Sequence, residues 1–405
     1  MQNEQHPITQ QRQRVLENFI LFCLSLTLVF DTLNGALIKY GIYIPVSALY
    51  KFGLLVLMYG FLVTTTKKYA GISIITALIV LFWALLRFAF VDNIAFMFVF
   101  QESIKVLFLF VTIFTIASFE YLSYKKLAVV FFLCTFILII NVLLTYAGLG
   151  GFSYGNFGAK GFLFGGNVVA GIILCCVSFF LALAFKRSSL LFLLVAFFYL
   201  LLAFIMGTKS ATLGVFLVAI LLPIFRFDTR TLLLLVIVIT VLMVITAIFY
   251  DDILSSQILT RVVYFYDQGG LSRALFSGRE DKFAYLLNAF SAQDVPQLLF
   301  GFDQAELQRL AFQRVEFDFA DMVLYFGGVF TVIVYSGLFT VFLIILRTNN
   351  SPLKHSAIVS FIVMFFISSI AGHVIFNGIV APVWGLMIGA AMGFAHDNTK
   401  QNSVS

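Results

Sequence analysis

Charge is what this chain has least of. Only 11% of its 405 residues are Asp, Glu, Lys or Arg, while 62% are hydrophobic. A soluble domain of this length covers its surface with roughly a quarter charged residues, so a water-facing globule is excluded. Cysteine is scarce too: Cys23, Cys134, Cys175 and Cys176 all lie inside apolar runs, which points to packing thiols and against a disulfide framework or a metal site. No P-loop, internal repeat or low-complexity segment is present. The first long apolar run leads into Asp31 and Asn34 rather than a small-residue cleavage site, so it is expected to be a retained span, not a cleaved leader. What is abundant is aromatic: fifty-one Phe and sixteen Tyr. These suit helices in hydrocarbon and interface better than the short alternating strands of a β-barrel.

About 20 apolar residues cross a bilayer core. Runs of that kind predict an all-α polytopic bundle of about twelve spans, at 17–37, 44–66, 70–91, 95–118, 127–149, 162–185, 189–207, 210–226, 231–250, 320–346, 355–375 and 378–395. Lys51 interrupts the second, and Glu102 with Lys105 the fourth. Charge placement orients them. With Arg12 and Arg14 inside, the alternate connections carry Lys67/Lys68, Lys125/Lys126, Lys186/Arg187, Arg226/Arg230 and Arg347/Lys354, and Lys400 lies in the tail. Basic residues on one side are the positive-inside pattern, which predicts cytoplasmic N- and C-termini. The basic balance of +6 therefore reports topology and not nucleic-acid binding. The chain divides into spans one to nine (1–250), an outer loop (251–319), and spans ten to twelve with the tail (320–405).

Two amphipathic helices are expected in that loop. Ser277-Gly-Arg-Glu280 has capping-box spacing, with Phe283, Leu286, Leu287 and Phe290 following on one face. Asp303-Gln-Ala-Glu306 opens a second, with Leu307, Leu310 and Ala311. Pro296 and Gly301 mark a turn between them.

A charge at membrane depth costs ~2.5–3.5 kcal/mol on insertion scales, so each one needs a partner or a wet cavity. The candidates gather at the outer ends of spans: Lys209 in Gly207-Thr-Lys-Ser210, Arg87 with Asp92, and His373 with Asn377. Arg261, Arg273, Arg279, Lys282, Arg309 and Arg314 lie in the loop, facing in sequence the acids Glu316, Asp318 and Asp321. Such cations suit a lipid-linked pyrophosphate, and a neighbouring carboxylate suits proton removal from an attacking hydroxyl. Structural alternatives stand beside each. Lys209 equally suits a snorkelling lysine, Asp321 a helix cap, Glu316 and Asp318 a salt-bridged anchor, and His373 a helix end. Asp318-x-x-Asp321 is weak evidence for a metal, and none is expected.

Four segments in a fixed order carry a family resemblance. They are Gly161-Phe-Leu-Phe-Gly-Gly-Asn167, Gly207-Thr-Lys-Ser-Ala211, Ser277-Gly-Arg279 with Leu299-Phe-Gly301, and Val315-Glu-Phe-Asp318 running through Asp321 to Gly327-Gly328. Together they resemble the O-antigen polymerase/ligase family of bacterial surface-polysaccharide assembly, over about Gly150 to Gly328. Lys209 stands where the family usually has Arg, replacing a planar fork by a point charge. Glu316 and Asp318 stand where ligases of the family typically carry His, which favours the polymerase branch.

The resemblance implies a periplasmic-face glycosyltransferase that joins undecaprenyl-diphosphate-linked repeat units into O-antigen, capsule or exopolysaccharide, with no cofactor or metal. Lys209 and Arg279 would hold the pyrophosphate, with Arg273 and Arg314 secondary. Glu316 would be the first choice of base and Asp318 the second, with His373, Asp321 and Arg87 further candidates. Implied partners are the carrier-linked glycans, membrane lipids and a chain-length regulator. A ligase of the same fold, transferring glycan to lipid A-core or protein, is the alternative. A flippase also has about twelve spans, but related halves with matching broken helices would be expected of it, and one asymmetric loop disfavours that.

Overall fold

The computed structural model describes residues 7–65, 67–91, 96–154, 157–163, 165–225, 229–248, 257–303, 315–372 and 374–402. The chain is almost wholly helical, as backbone in lipid must be when every N–H and C=O has to be satisfied within its own segment. In order come α1 (Pro7–Lys39), α2 (Val46–Thr65), α3 (Lys67–Phe90), α4 (Phe96–Ala117) and α5 (Tyr124–Tyr146). A β-hairpin of β1 (Gly151–Tyr154) and β2 (Phe157–Gly161) follows. Then come α6 (Gly166–Arg187), α7 (Ser189–Ile205), α8 (Lys209–Ile224) and α9 (Thr229–Ile248). After these lie α10 (Gln257–Phe276), α11 (Arg279–Ser291) and α12 (Val295–Phe300), and finally α13 (Asp318–Leu346), α14 (Pro352–Ala371) and α15 (Val380–Asn402).

Eight of these helices are long and apolar enough to cross a membrane: α1 to α6, α13 and α14. Ser189–Ile205, Lys209–Ile224 and Val380–Phe394 are shorter apolar helices, and α9 adds twenty residues of mostly Leu, Ile and Val. The protein is a multi-pass helical membrane protein, and a helix lies at each of the twelve expected positions. Its hub is α6, with 83% of its apolar window buried against 28% for α3; it packs on α5, α7, α8, α14 and α15. Buried Cys175 and Cys176 belong to α6, and buried Cys134 to α5.

The tightest pairing is α4 with α15. Gly385, Gly389 and Gly393 form a stripe at every fourth residue that lets the backbone of α15 lie against Leu109, Ile113 and Ala117 of α4. Small residues at such spacing are how helices associate in lipid, where burial of apolar surface gives no net drive. A side chain at Gly389 would collide with the Ile113 carbonyl. Gly389→Val is therefore expected to separate the pair and sharply reduce the folded, monodisperse fraction on size exclusion in detergent.

Three features depart from expectation. α13 is broken at Gly327 (φ 76°, ψ 175°), so an entry helix of nine residues precedes the spanning part. The carbonyls orphaned by the break find partners: Phe302 N–H donates to Leu324 O at 2.9 Å, and Trp83 Nε1 donates to Phe326 O at 2.9 Å. A Cβ at Gly327 would run into Leu299 O, so α12 seats itself in the break. Second, α11 starts as expected, but its cap is not the capping box. Ser277 (φ 57°) and Gly278 (φ 85°) are both left-handed, and the cap residue is Gly278, which has no side chain to offer the first-turn amides. Third, the Pro296–Gly301 segment is a short helix, α12, rather than a plain turn. On α11, Leu286 is buried, and Phe283 and Phe290 pack on Phe317 and Phe302, while Leu287 is exposed. The helix expected from Asp303 lies outside the described residues.

Candidate functional site

The expected site segments converge at one end of the bundle, where α6 and α8 begin and α14 ends. Gly207 (φ 68°) makes the turn into α8, close enough to Gly158 of the hairpin that no side chain fits between them. Lys209 opens α8, its ammonium 5.3 Å from the centre of the Phe265 ring on α10. Beside it, the Ser210 hydroxyl donates to Asn167 Oδ1 at 3.4 Å, and Asn167 Nδ2 donates to Ala371 O. The Asn of the Gly/Phe-rich segment and the Thr-Lys-Ser corner are thus tied to the last turn of α14.

Against that same turn lie Arg279 and Glu316 from the loop. Arg279, first residue of α11, reaches Glu316 through Nε (2.9 Å) and Nη2 (2.8 Å), both to Oε2, and its Nη1 donates to Phe276 O (3.3 Å) and Ile370 O (3.5 Å). Lys282 Nζ lies 3.5 Å from Glu316 Oε1. One helical turn separates Lys282 from Arg279, so both cations stand on one face of α11. Arg279 and Lys282 thus set two cations against the Glu316 carboxylate. The cluster's side chains keep contact with solvent, 18% exposed for Arg279 and 38% for Glu316, so an incoming anion can reach them.

Glu316 is held in an unusual backbone state, φ 68°, which costs a non-glycine residue of order 1 kcal/mol or more unless neighbours enforce it. Asp321 does so: its carboxylate accepts the Val315 N–H (2.7 Å) and the Glu316 N–H (3.2 Å). Gly372 lies against the Glu316 carbonyl with no room for a side chain. Asp318, 2% exposed, accepts the amides of Val374 (3.0 Å) and Ile375 (2.8 Å) and so anchors the turn after α14. Both aspartates thus point oxygens at backbone donors. Among the described residues no group of three His, Cys, Asp or Glu side chains gathers as a metal site would need. Asp318→Ala should strand two buried amides and cost about 2–4 kcal/mol, read as a lowered unfolding temperature in detergent. Glu316→Ala, at an accessible position, should leave that temperature nearly unchanged.

Two expected cations sit elsewhere. Arg273 pairs with the acids of the first turn of α11, at 2.6 Å from Asp281 and 4.0 Å from Glu280. Arg87, 2% exposed on α3, donates to Phe300 O (2.9 Å) and Phe302 O (2.5 Å) around Gly301 (φ 96°). It fastens the Leu-Phe-Gly segment to the bundle. Arg314 and His373 lie outside the described residues, as do Asp92 and Arg309. Lys282, one of the loop cations but given no specific role from sequence, joins the Arg279–Glu316 pair, and Asn167, not named as a ligand, is tied to Ser210 and Ala371. The i,i+3 spacing of Lys282 from Arg279 is the signal that points to it. The chain matches no protein-family model, no curated protein and no solved structure.

Proposed function

We propose that this protein is a polysaccharide polymerase of twelve spans in a bacterial inner membrane, a glycosyltransferase whose active site faces the periplasm. It would join undecaprenyl-diphosphate-linked repeat units without cofactor or metal. The observation that carries the proposal is the Arg279–Lys282–Glu316 cluster, two cations on one solvent-accessible carboxylate, at the end of the bundle where Lys209 opens α8. Exposed Tyr40, Tyr43 and Tyr146 at this end suit the aromatic belt of a membrane interface, the level at which a carrier diphosphate sits.

In the proposed reaction the diphosphate displaces Glu316 from the Arg279 guanidinium. Bidentate contacts from Arg279 and the point charges of Lys282 and Lys209 then take up the negative charge that grows on the leaving diphosphate. The carboxylate so released accepts the proton of the acceptor hydroxyl as its oxygen bonds to the anomeric carbon. One C–O bond to the diphosphate breaks, one glycosidic bond forms, and undecaprenyl diphosphate departs. Asp321 places Glu316, while Asp318 anchors the turn after α14. No nucleotide is needed, because the donor arrives already carrying its leaving group.

The test is deletion followed by gel analysis of surface glycan. Acceptor bearing a single repeat unit is the expected outcome, whereas carrier-linked polymer would identify a ligase and unchanged glycan would reject both. For orientation, Tyr285→Cys on exposed α11 should react with a membrane-impermeant maleimide in intact cells. Labelling only after permeabilisation would place the cluster in the cytosol and exclude the enzyme.

A further inference from the structure

Three consecutive residues at the end of α14 each meet a different part of the site. Ile370 O accepts Arg279 Nη1 at 3.5 Å, Ala371 O accepts Asn167 Nδ2, and Gly372 lies against the Glu316 carbonyl. The last carbonyls of a helix find no amide within their own helix, so side chains from other elements take that place here. Whatever fixes the height and rotation of this turn also fixes where the Arg279–Glu316 pair stands.

Asn167 is placed to do so. It lies in the first turn of α6, the hub of the bundle, and its amide is held from both sides: Nδ2 donates to Ala371 O, while Oδ1 accepts the Ser210 hydroxyl at 3.4 Å. One turn on, a side chain at Gly171 would run into Val374 and Val380, so α6 follows the segment after α14 closely. Ser210 is the neighbour of Lys209 in the first turn of α8. The contacts thus run from the Lys209 corner, through one side chain, to the turn that meets Arg279 and Glu316.

An amide suits both ends of that link. Ionised Asp can accept from Ser210 but cannot donate to Ala371 O, and Leu can do neither. Ala371 is 5% exposed, so removing the amide strands an enclosed carbonyl. Such groups rarely stay unpaired, and the turn has to move to find another donor. Because Ile370 and Gly372 flank it, that movement carries Arg279 and Glu316 along.

We propose that Asn167 is a positioning residue, which registers the last turn of α14 to the Lys209 corner so that Lys209 and Arg279 act on one diphosphate. This role rests on the reading of the cluster as a carrier-diphosphate site.

The test uses full-length protein in phosphatidylcholine nanodiscs with two readouts: binding of radiolabelled undecaprenyl diphosphate, and the distance between spin labels at Tyr285→Cys on α11 and Phe366→Cys on α14, both exposed positions. Asn167→Leu should weaken binding by about tenfold and shift or broaden the label distance. In its background Arg279→Ala should cost far less affinity than in the parent, since a guanidinium already out of place has little left to lose. A merely structural Asn167 would lower the unfolding temperature and leave the affinity of the folded fraction and the Arg279→Ala penalty at parental values, which would overturn the proposal. Asn167→Asp, nearly the same size, supplies the label distance if the leucine variant misfolds. Absence of binding in the parent would reject the diphosphate reading itself. A label distance unchanged in both Asn167 variants would overturn the positioning role whether or not the ligand binds.

Discussion

Arg279→Ala is expected to abolish long-chain surface glycan while the protein stays inserted and abundant. The guanidinium is the one cation of the cluster that meets Glu316 through two nitrogens while also reaching the last turn of α14. A preorganised donor aimed at charge developing in a transition state is worth about 2.7–4 kcal/mol, or on the order of 100- to 1000-fold in rate. Arg279→Lys should recover only part of that, because an ammonium keeps the charge and loses the planar fork. Lys282→Ala, which removes a single point charge 3.5 Å from Glu316, should cost less, roughly tenfold. Chain-length profiles on gels, alongside immunoblots for protein level, rank the three variants. Normal chain lengths in Arg279→Ala would remove Arg279 from the site.

Arg87→Leu is expected to give the largest loss of stability of any single charge removal in this chain. The side chain is enclosed, and its two hydrogen bonds hold the carbonyls on either side of Gly301. Each hydrogen bond to a charged group contributes about 1.5–3 kcal/mol, and the stranded carbonyls would stay buried in a segment that plugs the break in α13. A total of about 3–5 kcal/mol is expected, enough to lower the amount of folded protein in the membrane. α12 should then become accessible to protease before the rest of the bundle, since loosening concentrates where the lost contacts were. If Arg87→Leu instead unfolds at the parental temperature and loses glycan synthesis alone, Arg87 belongs to substrate binding and not to this clamp.

The helices were legible because long apolar runs leave a bilayer protein few choices. Lys51, Glu102 and Lys105, which interrupt the second and fourth runs, are accommodated as ion pairs, Lys51 with Asp31 and Lys105 with Glu102, and leave both helices intact. The break in α13 was not legible. Gly327 sits in an unbroken apolar stretch, and what makes it a break is the arrival of Leu299 and Trp83, distant in sequence. The hairpin at 151–161 was equally hidden, since its glycine-rich residues read as a connection until the Gly207 corner packs against them.

At the site, sequence placed Lys209, Arg279 and Glu316 at one end of the bundle, and it offered the helix cap as an alternative for Asp321. It ranked Glu316 ahead of Asp318 as the base, but with no physical ground for the order, because the two are near neighbours of the same chemistry. Their difference lies in the fold: the Glu316 side chain stands 38% exposed between two cations, while Asp318 is enclosed by backbone amides.

The most direct measurement is equilibrium binding of radiolabelled undecaprenyl diphosphate to the purified protein in nanodiscs. Saturable binding that weakens by about tenfold or more in Arg279→Ala, and survives in Glu316→Gln, is the predicted result. Equal affinity in the parent and Arg279→Ala would contradict a diphosphate site at the Arg279–Glu316 pair.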